Sequence, residues 1–400
     1  MDSVDVIPIT AYYTPSVIRT SDGYYRFMQD TGLGSVEMYI SLDGFTWTDP
    51  IDVGYAGAYG PCLDVGSDDV IWASRIQNSV MKIYKGTPNK GVVPYTYSFA
   101  ETTLAATPNE YYGNCAVAKF DPNYIVMSFR SKWWISRDGG TNWTLLVVGS
   151  SDWHLAAPVW IDSDTIIAAV YNYISHDLHV YTVAWGGASW TATDSVTIAT
   201  IGYNAWSDID YDSDGNIYIL YSKAGVKTVW KAMYNDLGTS TEYSFTTTSD
   251  FYDWGAGILQ QRGDGEFLIL TRDADLKLNA YHTADKFATI VDLGIKINCG
   301  VNTSYPQGMR GPTDVEPIVI VLPETGSKSL IWVRKALSIL PSGILVSEIV
   351  EDSTATENSI SCVGQLITKY ATEDSTLTKP MGFESGQEVK SKYITEYYEA

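Results

Sequence analysis

One pattern constrains this chain more than any other: an apolar strand, a turn of Asp, Gly, Asn, Ser or Pro, and a second apolar strand recur seven times. The pairs run Pro15 to Met28 turning at Asp22-Gly23, Pro61 to Ala73 near Ser67-Asp68, and Cys115 to Phe129 at Asp121-Pro122-Asn123. Pro158 to Val170 follows with Asp162-Ser163-Asp164, Ser207 to Leu220 with Asp214-Gly215, Gly257 to Leu270 with Gly263-Asp264-Gly265, and Thr313 to Leu322 with Glu316-Pro317. Successive pairs lie roughly 45 to 55 residues apart, the length of a four-stranded propeller blade. Outer strands fit the same period, with Val36 to Ile40 and Trp47 to Val53 in the first unit, and Trp133 to Ile135 and Trp143 to Val148 in the third.

The repeat predicts an all-β, seven-bladed β-propeller over residues 1–350, with blades starting near 12, 59, 112, 154, 204, 253 and 310. Thirteen Trp and twenty-nine Tyr favour strands over helices in so long a chain. A closed ring leaves no bare edge. For closure, Val4-Asp5-Val6-Ile7-Pro8-Ile9 is expected to add an outer strand to the last blade, with Ser359 to Thr368 as the rival. Residues 351–400 are polar and read as a C-terminal extension, either an anchoring segment ordered against an assembly partner or a frayed tail.

Two turns sharpen the assignment. Ser136-Arg137-Asp138-Gly139-Gly140-Thr141-Asn142-Trp143 reads Ser-x-Asp-x-Gly-x-x-Trp, and Ser41-Leu42-Asp43-Gly44-Phe45-Thr46-Trp47 is one residue shorter. Both resemble the Asp-box of the sialidase-like (BNR-repeat) β-propellers. The box is a structural staple, in which Ser41, Asp43, Gly44 and Trp47, or Ser136, Asp138, Gly140 and Trp143, tie down a hairpin. Gly186-Gly187 followed by Trp190 is a worn version in the fourth unit.

The resemblance implies a fold, and its catalytic set does not carry over. Sialidases grip a carboxylate with three arginines, the first in Arg-Ile-Pro ahead of the first inner strand, and add a tyrosine-glutamate pair and an acid/base aspartate. Here that stretch is Tyr13-Thr14-Pro15. Only Arg310-Gly311-Pro312 has an arginine two residues before a proline, and Arg19, Arg26, Arg137 and Arg262 fall on strands or distal turns. Neutral-glycoside hydrolysis would need two facing carboxyls roughly 5 to 10 Å apart. Asp208, Asp253 and Asp314 stand near inner strands, an unremarkable find among 47 acidic residues.

Other chemistries fail sooner. A formal charge of −21 repels phosphate backbones and anionic membranes, so no nucleic-acid partner is expected. Cys62, Cys115, Cys299 and Cys362 have no paired spacing for zinc or redox work, and Cys62 and Cys115 read as core thiols. His176-Asp177-Leu178-His179 would place its imidazoles on opposite faces of a strand, and Asp212-Ser213-Asp214-Gly215-Asn216 lacks the glutamate of a calcium loop. No metal and no cofactor is expected. The amino terminus has no basic, apolar leader, and no run approaches the length of a membrane span, so no membrane insertion is expected.

What remains is recognition. The loops leading into the inner strands carry Tyr13, Tyr59, Tyr112, His154, Trp206, Trp254 and Arg310, a largely aromatic ring around one channel mouth. Aromatic faces stack on the C–H face of a sugar while polar tips bond its hydroxyls. The chain is therefore expected to be a non-catalytic recognition propeller that meets a surface glycan or protein partner at this mouth. By resemblance to accessory and receptor-binding proteins of virus particles, its expected place is a virion or extracellular surface. A sialidase-like glycoside hydrolase with a rearranged site and a purely structural scaffold are the alternatives.

Overall fold

The computed structural model describes residues 17–30, 35–42, 47–48, 51–55, 62–77, 80–106, 113–129, 131–149, 153–172, 174–200, 208–223, 226–247, 257–272, 277–298, 303–307, 309–310, 318–323, 331–339 and 345–350. Every regular element among them is a strand. In chain order these are β1 (Val17–Arg19), β2 (Tyr25–Asp30), β3 (Ser35–Ser41), β4 (Ile51–Tyr55), β5 (Cys62–Val65), β6 (Ile71–Gln77), β7 (Val80–Asn89), β8 (Thr96–Ala106), β9 (Gly113–Val117) and β10 (Ile125–Phe129). They continue as β11 (Lys132–Ser136), β12 (Thr144–Val147), β13 (Trp153–Asp162), β14 (Thr165–Asn172), β15 (Asp177–Trp185), β16 (Trp190–Thr200), β17 (Asp208–Tyr211), β18 (Asn216–Lys223), β19 (Val226–Met233) and β20 (Asp236–Thr247). The last are β21 (Ile258–Gly263), β22 (Glu266–Arg272), β23 (Lys277–Thr283), β24 (Val291–Asn298), β25 (Thr303–Gln307), β26 (Met309–Arg310), β27 (Ile318–Pro323), β28 (Ile331–Ile339) and β29 (Leu345–Val350).

The strands fall into seven sheets arranged as a β-propeller, each built on a four-stranded antiparallel meander; the last skips β26, which joins the first sheet as a fifth strand. The inner hairpins turn at residues with the right backbone freedom: Gly23, Gly215 and Gly265 all take positive φ. The first strands β1, β5, β9, β13, β17 and β21 pack successively side by side, and the fourth strands β12, β16 and β20 neighbour one another at the rim.

The core is a series of slabs between consecutive sheets. Ile18, Met28 and Ile40 of the first sheet meet Leu63, Ile71 and Tyr84 of the second. Trp133 and Ile135 meet Trp160, Ile166 and Val183, and Tyr218 and Leu220 meet Leu259, Phe267 and Tyr281. Strands buried on both faces explain the near-continuous apolar runs of Thr165–Asn172 and Asn216–Lys223. Cys62 and Cys115 are buried in one such slab, core thiols as the sequence suggests.

Six sheets, from Val17 to Asn298, have described packing; the seventh, β25-β27-β28-β29, is given by its backbone. Its first pair differs from the sequence expectation. Thr303–Gln307 pairs with Ile318–Pro323, so the inner strand lies upstream of Thr313. Arg310 stands instead in β26, whose parallel pairing of Met309 with Val17 and of Arg310 with Ile18 ties the end of the ring to its beginning. The seventh sheet is complete with β29 as its fourth strand. Both segments considered for closure, residues 4–9 and 359–368, lie outside the described residues, as does the whole of 351–400.

Candidate functional site

Apart from β1, which pairs with β26, the first strand of each sheet has no strand on its channel side among the described residues, and an unpaired buried N–H is costly. Acidic side chains cover part of that edge. Asp64 in β5 accepts its own Val65 amide at 2.9 Å and reaches the next blade to accept Val117 N–H at 2.8 Å. Asp208 in β17 repeats the device, with Ile209 N–H at 3.0 Å and, one blade on, Leu259 N–H at 2.8 Å. Both carboxylates are ties between neighbouring inner strands.

The inner strands line a cavity of about 390 Å³ that runs from Asp208 and Ile258, the first residues of β17 and β21, to Gly66, Lys119 and Gln261 toward the hairpin turns. Lys119, just past β9, crosses it: its ammonium donates to Asp210 at 2.8 Å and to Gln261 at 3.1 Å, and lies 4.9 Å from the Tyr211 ring centroid. The third, fifth and sixth blades are thereby joined across the axis. Burial pushes the Tyr211 hydroxyl up, only partly offset by Lys119. Gln260 and Trp160 also line the cavity. Each is more than nine-tenths buried, and Gln260 Oε1 and Trp160 Nε1 have no hydrogen-bond partner.

The recognition residues expected from sequence stand away from the cavity or lie outside the described residues. Tyr13, Tyr59, Tyr112, Trp206 and Trp254 lie outside the described residues, as do Asp253 and Asp314. His154 is the second residue of β13 and Arg310 the second of β26, both at the backbone level. Arg310 therefore sits in the closing strand rather than ahead of the seventh inner strand. Sequence reasoning missed Lys119, Asp210, Gln260 and Gln261. The signal available was a run of polar residues at the ends of apolar inner strands.

The turn from Ser136 to Trp143 is fully described. Ser136 Oγ donates to Asp138 at 2.9 Å and accepts Gly140 N–H at 2.9 Å, while Asp138 accepts Asn142 N–H at 2.9 Å. Trp143 Nε1 donates to Gly140 O at 3.0 Å. Burial opposes ionisation of Asp138, but these donors, led by the Asn142 amide, hold its carboxyl below the usual range. Gly140 has φ +82°, and a side chain there would run into the Trp72 ring of the second sheet. Lys85 of that sheet donates to Gly139 O at 2.8 Å, so the turn also clasps the neighbouring blade. In the first sheet Ser41 and Trp47 are buried, with Trp47 edge-on to Phe27, while Asp43 and Gly44 lie outside the described residues.

His176 bonds Tyr171 Oη at 2.8 Å and His179 bonds Asp194 at 2.9 Å. Among the described residues no group of three potential ligands could hold a metal ion, and no helix is long and apolar enough to cross a membrane.

No family model matches the chain, and no curated protein does. Among solved structures it is similar to a candidate 6-phosphogluconolactonase of Bacteroides fragilis, with a TM-score of 0.52 and 11% identity over 83% of this chain and 96% of that one. A fungal lectin from Aleuria aurantia, a six-bladed β-propeller with a fucose recognition mode, gives 0.45 at 12% identity over 74% and 100%. The intramolecular trans-sialidase of Ruminococcus gnavus gives 0.45 at 14% over 82% and 96%. Identities this low speak for the fold alone, and the first of them supports the β-propeller.

Proposed function

We propose that this chain is a recognition propeller, its seven sheets closed as one seven-bladed ring, and that it binds a glycan or protein partner without transforming it. The carrying observation is the state of Asp208. Of the three carboxylates that could serve glycoside hydrolysis it is the one described, and both its oxygens accept main-chain amides, one from Ile209 in its own strand and one from Leu259 across a blade seam. A carboxylate engaged as a structural tie is poorly placed to exchange a proton with a substrate. Asp64 is engaged in the same way.

In this reading the partner meets the inlet mouth, at Tyr13, Tyr59, Tyr112, His154, Trp206, Trp254 and Arg310. The bonding of Ser136, Asp138, Gly140 and Trp143 supports their role as an Asp-box, with Ser41, Asp43, Gly44 and Trp47 as its shorter copy. Residues 351–400 dock on an assembly partner, as in a receptor-binding protein carried on a virus particle.

A glycan array probed with the full chain, beside a panel of chromogenic glycosides, tests the proposal. A defined glycan hit that Trp206→Ala and Trp254→Ala abolish, with no glycoside cleaved, is the expected result. Turnover of a glycoside, lost in Asp208→Asn, overturns it. For the tail, unimpaired joining of the assembly after deletion of 351–400 overturns the anchoring role.

A further inference from the structure

The seam between the second and third blades brings two sulfurs together. We propose that Cys62 and Cys115 are a modification site, a dithiol that hydrogen peroxide closes to a disulfide stapling β5 to β9. This stands on the packing of β5, β6 and β9 and does not depend on what the mouth binds.

Register comes first. Asp64 of β5 reaches Val117 of β9, 53 residues on, and accepts its amide at 2.8 Å. Cys62 and Cys115 stand two residues earlier on the same two strands, and alternate residues of a strand share a face. The tie between Asp64 and Val117 therefore turns Cys62 toward Cys115. Both sulfurs then meet one stretch of β6. Cys62 Sγ lies 2.7 Å from Ser74 Oγ and 3.8 Å from Ser74 O, and Cys115 Sγ lies 3.9 Å from Trp72 O. The Cys115 thiol is in turn a hydrogen-bond partner of the Cys62 thiol. A disulfide requires side chains that converge rather than point apart, and this register supplies them.

The chemistry has a direction. A thiolate is the nucleophile in such reactions. Burial opposes ionisation of Cys62, but the bonds from the Cys115 thiol and the Ser74 hydroxyl outweigh it and hold its pKa below the ordinary thiol value. Cys62 is also the more open of the two, 7% exposed against 1%. It is the sulfur that attacks peroxide, an oxidant hardly larger than water. The O–O bond breaks, one oxygen leaves as water, and Cys62 becomes a sulfenic acid. Cys115 then attacks that sulfur, the S–S bond forms, and the second oxygen leaves as water. Two thiol protons and two electrons have passed to one peroxide. Lys85, bonded to Gly139 O at 2.8 Å, already clasps this seam farther out, and the disulfide makes its inner part covalent.

Peptide mapping of the folded full chain after peroxide treatment tests this. Remaining thiols are alkylated on denaturation, and trypsin separates Cys62, in 27–75, from Cys115, in 91–119. The expected product is these two peptides joined, two hydrogens lighter than their sum and released by dithiothreitol. The joined chain is expected to melt about 3 to 6 °C above the reduced one, a shift that Cys115→Ser abolishes. If Cys115→Ser fails to melt cooperatively, the map of the unsubstituted chain decides. Three results overturn the proposal. One is alkylation of both Cys62 and Cys115 after peroxide, and another is either of them joined to Cys299 or Cys362 instead. The third is a melting shift that persists in folded Cys115→Ser.

Discussion

Two seams between blades use the same clasp in different electrical surroundings. Between the first and second sheets, Ser21 donates its amide and hydroxyl to the two oxygens of Asp69, at 2.7 and 2.6 Å. Between the fifth and sixth, Ser213 does the same to Asp264, at 2.7 and 2.8 Å. Behind the first clasp lies an ion pair wholly out of water: Arg26 meets Asp22 at 2.6 Å, donates to Thr20, and faces the Tyr97 ring at 5.1 Å. At the position of Arg26 the fifth sheet has Tyr218, whose hydroxyl donates to Asp212 at 2.8 Å. There the cation, Lys286, arrives from the sixth sheet at the surface, pairing with Asp214 and, at 3.4 Å, with Asp212. The clasp is thus set by the turn geometry of the repeat. What stands behind it is free to vary, and it decides how a seam responds to charge.

Replacing Arg26 breaks this comparison most sharply. Arg26→Met leaves Asp22 buried and unpaired, at a cost of about 3 to 5 kcal/mol by chemical denaturation. Acid comes next. Burial would raise the Asp22 pKa, but bonds from Arg26, Thr20 and the Tyr95 amide outweigh it and bring it to about 2, against an ordinary 3.8. A depressed carboxyl contributes stability that is whole above its unfolded pKa and lost as pH falls through the folded one. Roughly 2 kcal/mol should therefore disappear between about pH 4 and pH 2. In Arg26→Met this loss should vanish or change sign.

Smaller effects test the other seam. Tyr218→Phe removes one donor to Asp212, an expected loss of about 1 to 2 kcal/mol. The two clasps should also differ when neutralised. Asp69, 3% exposed, also takes the Lys90 ammonium at 2.5 Å, so Asp69→Asn should cost about 1 to 3 kcal/mol. The half-exposed Asp264 should cost about 1 kcal/mol or less as Asp264→Asn. Equal losses at the two sites would show that the clasp alone matters and its surroundings do not.

Turns were the legible part of this molecule. Asp22-Gly23 and Asp214-Gly215 announce a left-handed residue by local chemistry, and Gly23 and Gly215 have φ of +86° and +84°. The bonds from Ser136 to Trp143 were likewise contained in eight consecutive residues. The seventh sheet was misread because Ser304-Tyr305-Pro306 is polar and carries a proline, so its strand character comes from pairing with Ile318–Pro323 rather than from pattern. Lys119 lies 91 residues from Asp210 and 142 from Gln261, and only the ring brings them together. By its place in the repeat Arg26 is one of the arginines that fall on strands or distal turns. Four residues from Asp22 across a tight hairpin, it was already within reach of a buried pair.

The pairing of Val17 with Met309 has a consequence during synthesis. The inner edge of the first blade is covered only when the polypeptide through Arg310 has left the ribosome, so in the nascent protein that edge waits bare. That edge is β1, three residues long. Brevity is a known protection for exposed strands, since so short a stretch of free N–H and C=O groups is a poor template for a stray chain. The pairing that joins the two ends of the ring is thus short enough to be left open safely while the protein is being made.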